Sequence, residues 1–444
     1  MSKRYPGGFV TKSPVAPTIS AASGVWTLEQ ATQYIKAGTW PVSYGNYWIG
    51  LLGGTGYQVG NGITVDSSGN AYICGNSAVG LQIAKYGVSG GIAWQRALSS
   101  GNGTSVAVDS SNNIYVCGYY GSSLLLAKYD TSGAIQWQRT LDDTQYAAGY
   151  GVAIDSSSNV YVTGQSFSTG ATYVAQIAKY NSSGTIQWQR KLGDSSYVTA
   201  TYGRGIAVDS SGNAYIVGYN TVAGNPALFA KYDTSGNLQW QRFLSGGTVS
   251  GGYGVTVDSS NNLYIAGLSN NSGTIDLQIA KYNSSGTIQW QRNLNGGSSS
   301  VAYSIAVDSS NNVYAFGKTP SNDCLIAKYN SSGTIQWQRR LGGSGGDYGY
   351  SIALSSAGNM YVTGYATTSD EDILFAKLPS DGSLTGTYTV GSLSITYAAS
   401  TFTDSASSLT DSAASLTSST STLTSTTSSI TDSATTLTSS VTGI

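Results

Sequence analysis

AKYNSSGTIQWQRKLGD, residues 178–194, decides the fold. Nearly the same words return at 280–294 and 327–341. NSSG, 181–184, is a tight polar turn, and the segments on either side, VAQIAKY (174–180) and TIQWQRKL (185–192), are short and rich in β-branched and aromatic residues. That pattern predicts a β-hairpin. A catalytic site is needed once; a hairpin spelled repeatedly is architecture, one supersecondary unit used many times.

Two anchors fix the register of the repeat. The first is a turn phrase such as VDSSGNAY, with its aspartates at Asp66, Asp109, Asp155, Asp209, Asp258 and Asp308, and Ser355 in the seventh place, 43 to 54 residues apart. The second is Ala-Lys-Tyr, centred on Lys85, Lys128, Lys179, Lys231, Lys281 and Lys328, with Lys377 closing the series before Leu378. In the third copy GYGVAI (149–154) and VYVTG (160–164) precede the hairpin, so each unit reads as four short strands. No helical pattern separates them, which excludes βαβ units. Four antiparallel strands in about 45 residues make a propeller blade, which buries its faces only by stacking on neighbours.

The tryptophans show how the ring closes. Trp94, Trp137, Trp188, Trp240, Trp290 and Trp337 belong to Trp-Gln-Arg phrases, and none follows the seventh Ala-Lys site. NYWIGLLGG, 46–54, supplies the missing piece, so Trp48 is the seventh. The expected fold is all-β, a seven-bladed β-propeller over 46–385 whose last blade joins an N-terminal outer strand to three C-terminal inner ones. The six aspartates and seven tryptophans are expected to be structural, in turns and between blades.

These motifs, VDSSGNxYxxG followed by AKYxxSGxxxWQR, resemble the bacterial β-propeller repeat labelled SBBP, across about residues 46–385. The resemblance implies a propeller and no fixed activity. The leader, MSKRYPGGFVTKSPVAPT followed by SGVWTLEQATQYIKAGTWP, resembles the N-termini of tailed-phage virion proteins, notably cyanophage-like ones and tail-fibre proteins. That resemblance implies a structural protein of a phage particle. Residues 1–45 read as an extended docking arm for other virion proteins, with a short helix over 28–37 capped by Thr27 and stopped by Gly38; the alternative is a disordered terminus.

Composition narrows the chemistry. Charged residues are 10% and the net charge is -1, which excludes an electrostatic nucleic-acid binder. There is no histidine, so the usual general base and metal ligand are missing. Cys74 and Cys117 sit where sister repeats carry Thr163, Val217, Ala266 and Phe316, which points to small buried side chains rather than a disulfide framework, and Cys324 makes the number odd. No apolar run is long enough to span a membrane, and the leader lacks the apolar region of a standard signal peptide. The DSSGN turns lack the ligand ladder of a calcium loop, so no metal or other cofactor is expected.

Beyond a β connector at 386–400, residues 401–444 change character to a Ser/Thr-rich tail. Leu409, Leu416, Leu423, Ile430 and Leu437 stand seven apart, with Ala406, Ala413, Thr420, Thr427 and Ala434 three residues before each. That spacing predicts an a/d heptad coiled-coil stem and, through those leucines, a homotrimer. Against it, Ser and Thr are poor helix formers, and the alternative is a low-complexity linker.

Catalysis has little support. Asp370, Glu371 and Asp372 are adjacent in one loop, whereas glycoside hydrolysis needs carboxylates opposed across a cleft. The loops GYYGSS (118–123), GQSFSTGATY (164–173) and GYNTVAGNPA (218–227) suit protein or host-glycan contacts. The expected role is a non-enzymatic virion protein displaying the propeller, as a fibre or surface appendage, for host-surface or protein contact. The alternatives are a carbohydrate-binding module of a bacterial surface or secreted protein, and a polysaccharide depolymerase.

Overall fold

In the computed structural model the described residues are 47–443, apart from 55, 143–144, 169–171, 194–197, 223, 247–249, 271–272, 368–369, 408, 414–416, 421–423, 428–431 and 435–437. The arm at 1–45 and its helix at 28–37 lie outside them, as do Leu416, Leu423, Ile430 and Leu437.

Seven antiparallel sheets form a ring. Blade one is Val59–Val65, Ala71–Ser77, Gly80–Tyr86 and Ile92–Ser99, from the innermost strand outward. Blades two to six repeat the order, with innermost strands Gly101–Val108, Ala147–Ile154, Thr201–Val208, Ser250–Val257 and Val301–Val307. In blade seven, Asp347–Leu354, Asn359–Thr367 and Glu371–Pro379 are completed by Trp48–Gly53, which pairs Trp48 with Lys377 and Leu52 with Ile373. Each innermost strand touches that of the next blade, and blade seven touches blade one, so the ring is closed.

The sequence explains the burial. On the second strand of each blade a tyrosine, for example Tyr72, Tyr115, Tyr161, Tyr215 and Tyr264, is fully buried between blades. Aliphatic residues of adjoining sheets fill the rest of each wedge, as Leu81, Ile83 and Leu98 do with Val106, Val116 and Leu125. Cys74, Cys117 and Cys324 are buried free thiols, and burial pushes the Cys117 thiol up to about 12.

The tail departs from expectation. No helix occurs among the described residues, so the coiled-coil stem is replaced by strand, and the tail-fibre architecture and homotrimer drawn from that stem fall with it. Instead the tail adds an outer strand to every blade. Leu393–Ala399, hairpinned to Gly386–Val390, extends blade six. Thr403–Ala406 then pairs with blade five, Thr410–Ala413 with four, Thr417–Thr420 with three and Thr424–Thr427 with two. Asp432–Ala434 follows on blade one and Thr438–Gly443 on the clasp strand of blade seven. The belt runs against the order in which the blades are built and covers every outer edge.

The seven-residue period is the step from blade to blade. Threonines seven apart face equivalent blade positions: Thr396 opposite Gly342, Thr403 opposite Asn295, Thr410 opposite Ser245, Thr417 opposite Gly193, Thr424 opposite Asp142 and Thr438 opposite Gly53. Seven extended residues reach about 23 Å, which lets each heptad supply one short strand and one crossing. Leu409, read from sequence as a coil residue, packs instead among Leu244, Phe229, Val217 and Tyr282 at 4% exposure. Phe402, seven residues earlier, packs against the wedge containing Leu294 and Leu325. Gln338 donates to the Phe402 carbonyl (2.7 Å) and accepts from its N–H (3.1 Å), and Gln291 donates to the Leu409 carbonyl (2.9 Å). The second glutamine of Gln-Trp-Gln-Arg thus holds the belt in these two blades. A Ser/Thr-rich chain has the β-propensity for this edge role and lacks the helix propensity for a stem.

Candidate functional site

The recurring polar residues build one latch at each blade junction. Trp94 donates its indole N–H to the Thr131 carbonyl in the next blade's hairpin turn (3.1 Å), and Arg96 Nε donates to the Gly133 carbonyl (2.8 Å). Trp137 reaches Ser182 O, Trp188 reaches Thr234 O, Trp240 reaches Ser284 O and Trp290 reaches Ser331 O. Trp48, the most buried, reaches Val88 O (3.1 Å) across the clasp. Trp337 packs on Gly382, and its N–H has no partner among the described residues.

The turn glycines answer to these rings. Gly133, Gly184, Gly236, Gly286 and Gly333 all have φ near +80°, and a Cβ on any of them would lie within about 3 Å of the preceding blade's indole. The other turn of each blade carries no indole. Its left-handed position is Gly69, Asn112, Ser158, Gly212, Asn261, Asn311 or Gly358, since a short polar side chain tolerates that conformation.

Each aspartate of the first turn is spent locally. Asp66 Oδ1 accepts from the Ser68 and Asn70 N–H groups, and Oδ2 accepts from the Asn70 amide and the Tyr72 hydroxyl, at 2.8–3.0 Å. Asp109, Asp155, Asp209, Asp258 and Asp308 each accept the same Tyr and Asn bonds. Burial pushes the Asp66 and Asp258 carboxyls up, but these hydrogen bonds outweigh it and leave both below the ordinary value. The lysine of Ala-Lys-Tyr lies over the same tyrosine, as Lys179 does over Tyr161 at 4.9 Å. Among the described residues no group of three or more His, Cys, Asp or Glu side chains is placed to hold a metal ion.

The adjacent carboxylates also part company. Asp370 accepts from Gly56 N–H (3.4 Å), while Asp372 lies against Gly53 on the clasp strand. Glu371 is half-buried, and burial pushes its carboxyl up.

What the blades do not share lies nearest the axis. Every innermost strand carries a bulge, between Gly60 and Gly62, Gly103 and Ser105, Gly149 and Gly151, Gly203 and Gly205, Gly252 and Gly254, Ala302 and Ser304, and Gly349 and Ser351. The extra residues are Asn61, Thr104, Tyr150, Arg204, Tyr253, Tyr303 and Tyr350, all half-buried. They form a collar of seven. Tyr253, Tyr303 and Tyr350 meet ring to ring at 5.5 and 5.3 Å, and Tyr350 continues to Tyr365 at 6.0 Å. Asn61 and Thr104 instead donate to the next blade's backbone, at Gly103 O and Gly149 O. Arg204 lies 4.3 Å over the Tyr150 ring and donates to the Tyr219 hydroxyl (3.0 Å).

Tyr173, on the third strand of blade three, and Tyr219, on the second strand of blade four, extend this surface and meet Tyr202 ring to ring at 5.4 and 4.6 Å. Burial, then Tyr253 and Tyr348, pushes the Tyr303 phenol up to about 12. Sequence reasoning missed the collar, although its signal is present: one residue between two small ones in each first strand, as in GYG, GRG and AYS.

The SBBP β-propeller repeat pattern matches residues 48–81, 187–221 and 336–370. The chain folds as a β-propeller built of repeated blades. The first matched stretch begins with the clasp strand, and none includes the leader. No curated protein matches the chain. Among solved structures it is similar to the WD40 β-propeller domain of Doa1, at 11% identity and TM-score 0.48, covering 74% of this chain and 96% of that one. It is similar also to the Dos1 propeller, at 11% identity and TM-score 0.46, covering 75% and 95%.

Proposed function

We propose that this propeller is a non-enzymatic contact module whose binding surface is the axial collar with the adjoining tyrosine-rich loops. One observation carries the reading. Latch, turn and edge chemistry repeat from blade to blade, whereas the bulge position changes from Asn61 and Thr104 to Arg204 and four tyrosines. Repetition serves closure of the ring; divergence at one shared position is what recognition of an asymmetric ligand requires. Tyrosine supplies broad contact area at low ordering cost. The resemblance of residues 1–40 to virion leaders supports a place on a phage particle, with the propeller turned to a host surface or another protein.

The test is binding of the purified chain to intact host bacteria, comparing wild type with Tyr253→Ala/Tyr303→Ala. Loss of binding at an unchanged Tm is expected. Equal binding by both would remove the collar from the contact surface. Gold-antibody labelling of purified particles tests the setting: label on intact or gently disrupted particles is expected, and its absence would discard it.

A further inference from the structure

Several motif cations of the blades are committed to carbonyls of the next blade, although Arg242 and Arg292 leave Nε without a partner among the described residues. Arg139 donates to Gly184 O, Lys128 to Ser182 O, Lys231 to Ser284 O and Arg339 to Gly382 O. Outside the motif, Arg340 pairs with Asp323 at 3.1 Å. Arg204 differs in place and company. It stands in the collar, half-buried, with its guanidinium 4.3, 5.5 and 5.4 Å from the rings of Tyr150, Tyr202 and Tyr219. It donates to the Tyr219 hydroxyl (3.0 Å), and its Nε has no partner among the described residues. No carboxylate of the described residues forms an ion pair with it. Burial alone would lower its pKa, yet Tyr219 and then Tyr150 hold it above the ordinary value.

A guanidinium removed from water without an opposite charge is costly, and buried charges are ordinarily paired. Phenol faces compensate by cation–π attraction but supply no anion. The planar fork of a guanidinium matches a carboxylate or phosphate through two parallel hydrogen bonds. The neighbouring tyrosines offer ring faces for stacking and hydroxyls for a polyhydroxylated body. Building on the collar as contact surface, we propose that Arg204 is the anchor of an oxyanion subsite, which takes a carboxylated or phosphorylated sugar by its anionic group. The ring of the sugar lies against the collar tyrosines, and the anion completes the charge that the protein leaves unpaired.

The experiment is saturation-transfer NMR on the full chain, with D-glucuronate, glucose 6-phosphate and neutral glucose as observed probes and inorganic phosphate as an unobserved competitor. Glucuronate or glucose 6-phosphate is expected to give a signal at least tenfold above glucose. That signal should vanish in Arg204→Gln, recover in part in Arg204→Lys, and weaken as salt rises. Which of the two acids binds more tightly separates a carboxylate from a phosphate source. Half-displacement of the glucose 6-phosphate signal by inorganic phosphate at an equal concentration would overturn the sugar part of the proposal. If all probes bind alike, glucose included, and Arg204→Gln changes nothing, the oxyanion subsite is wrong while the collar remains a contact surface. If no probe binds the wild type, the subsite is likewise wrong, and Tyr253→Ala/Tyr303→Ala on host cells then decides the collar separately. A Tm within about 2 °C of wild type verifies that Arg204→Gln is folded. Should it unfold, the Arg204→Lys comparison carries the test, and unchanged probe affinity there with an unchanged salt dependence would overturn the proposal.

Discussion

The chain contains two repeats, and they teach opposite lessons. The blade repeat is long and signs its turns with Gly, Asn and Asp, so its strands follow from local chemistry. The tail repeat is seven residues long and carries one aliphatic residue per period, which matches a coiled-coil seam equally well. A period alone does not name a secondary structure. In the tail, seven is the residue distance between neighbouring blade edges, set by the body it wraps.

The largest effect expected from this comparison is that of removing residues 402–444. A coiled-coil stem could be removed with the loss of the oligomer alone. The belt reading exposes the outer edges of six blades, which invites edge-to-edge pairing. Thermal unfolding should fall by on the order of 10 °C, with aggregation above it, as followed by scanning calorimetry and light scattering. Next comes Leu409→Ala. A side chain seated between blades costs about 2–4 kcal/mol on truncation, whereas an unpacked tail residue costs nothing measurable. Urea unfolding separates the two.

Asp347 sharpens the comparison at the start of blade seven, next to the blade where the belt begins. Its carboxyl is fully buried beside Asp323, and burial raises it to about 6, although Gly343 and Thr367 donate to it. A carboxyl of the unfolded chain titrates near 4. As pH rises from about 4, the unfolded chain therefore loses this proton first, and stability falls until about pH 6, by about 2 kcal/mol. Asp347→Asn should flatten that segment of the Tm–pH curve, and an unchanged slope would refute the assignment. Asp66 and Asp258 act with the opposite sign, because their depressed carboxyls contribute stability that is lost only under stronger acid.

The smallest effects compare the two turns of a blade. Gly236→Ala places a Cβ 2.7 Å from the Trp188 ring at φ +80°, which should cost about 2 kcal/mol. Gly69→Asn sits at φ +83° with contacts no nearer than 3.6 Å, and sister turns already carry Asn there, so a change of about 0.5 kcal/mol or less is expected. Equal costs in denaturant melts would show that the indole does not decide the glycine.

The propeller body was legible because its signals are local. Asp66 to Tyr72 states a turn and the strand after it, and Trp48 states the closing strand. The latch was half legible: the tryptophans read as blade parts, while their acceptors on the next blade are set by ring geometry. The collar was hidden because Tyr150, Arg204 and Tyr303 are ordinary strand residues until seven bulges bring them around one axis. The belt was misread because pairing across more than 150 residues, Thr410 with Ser245, leaves no mark in the local sequence.

That pairing is also the most direct test. Ser245→Cys/Thr410→Cys, oxidised at low protein concentration, should form a disulfide within one chain, seen as a mobility shift at the monomer position on a non-reducing gel. Thr410→Cys paired with a cysteine at Gln239, on the same strand but away from the belt contact, should not. A cross-link that forms only between chains, or none while the protein is folded, would contradict the belt and return the tail to a stem or linker.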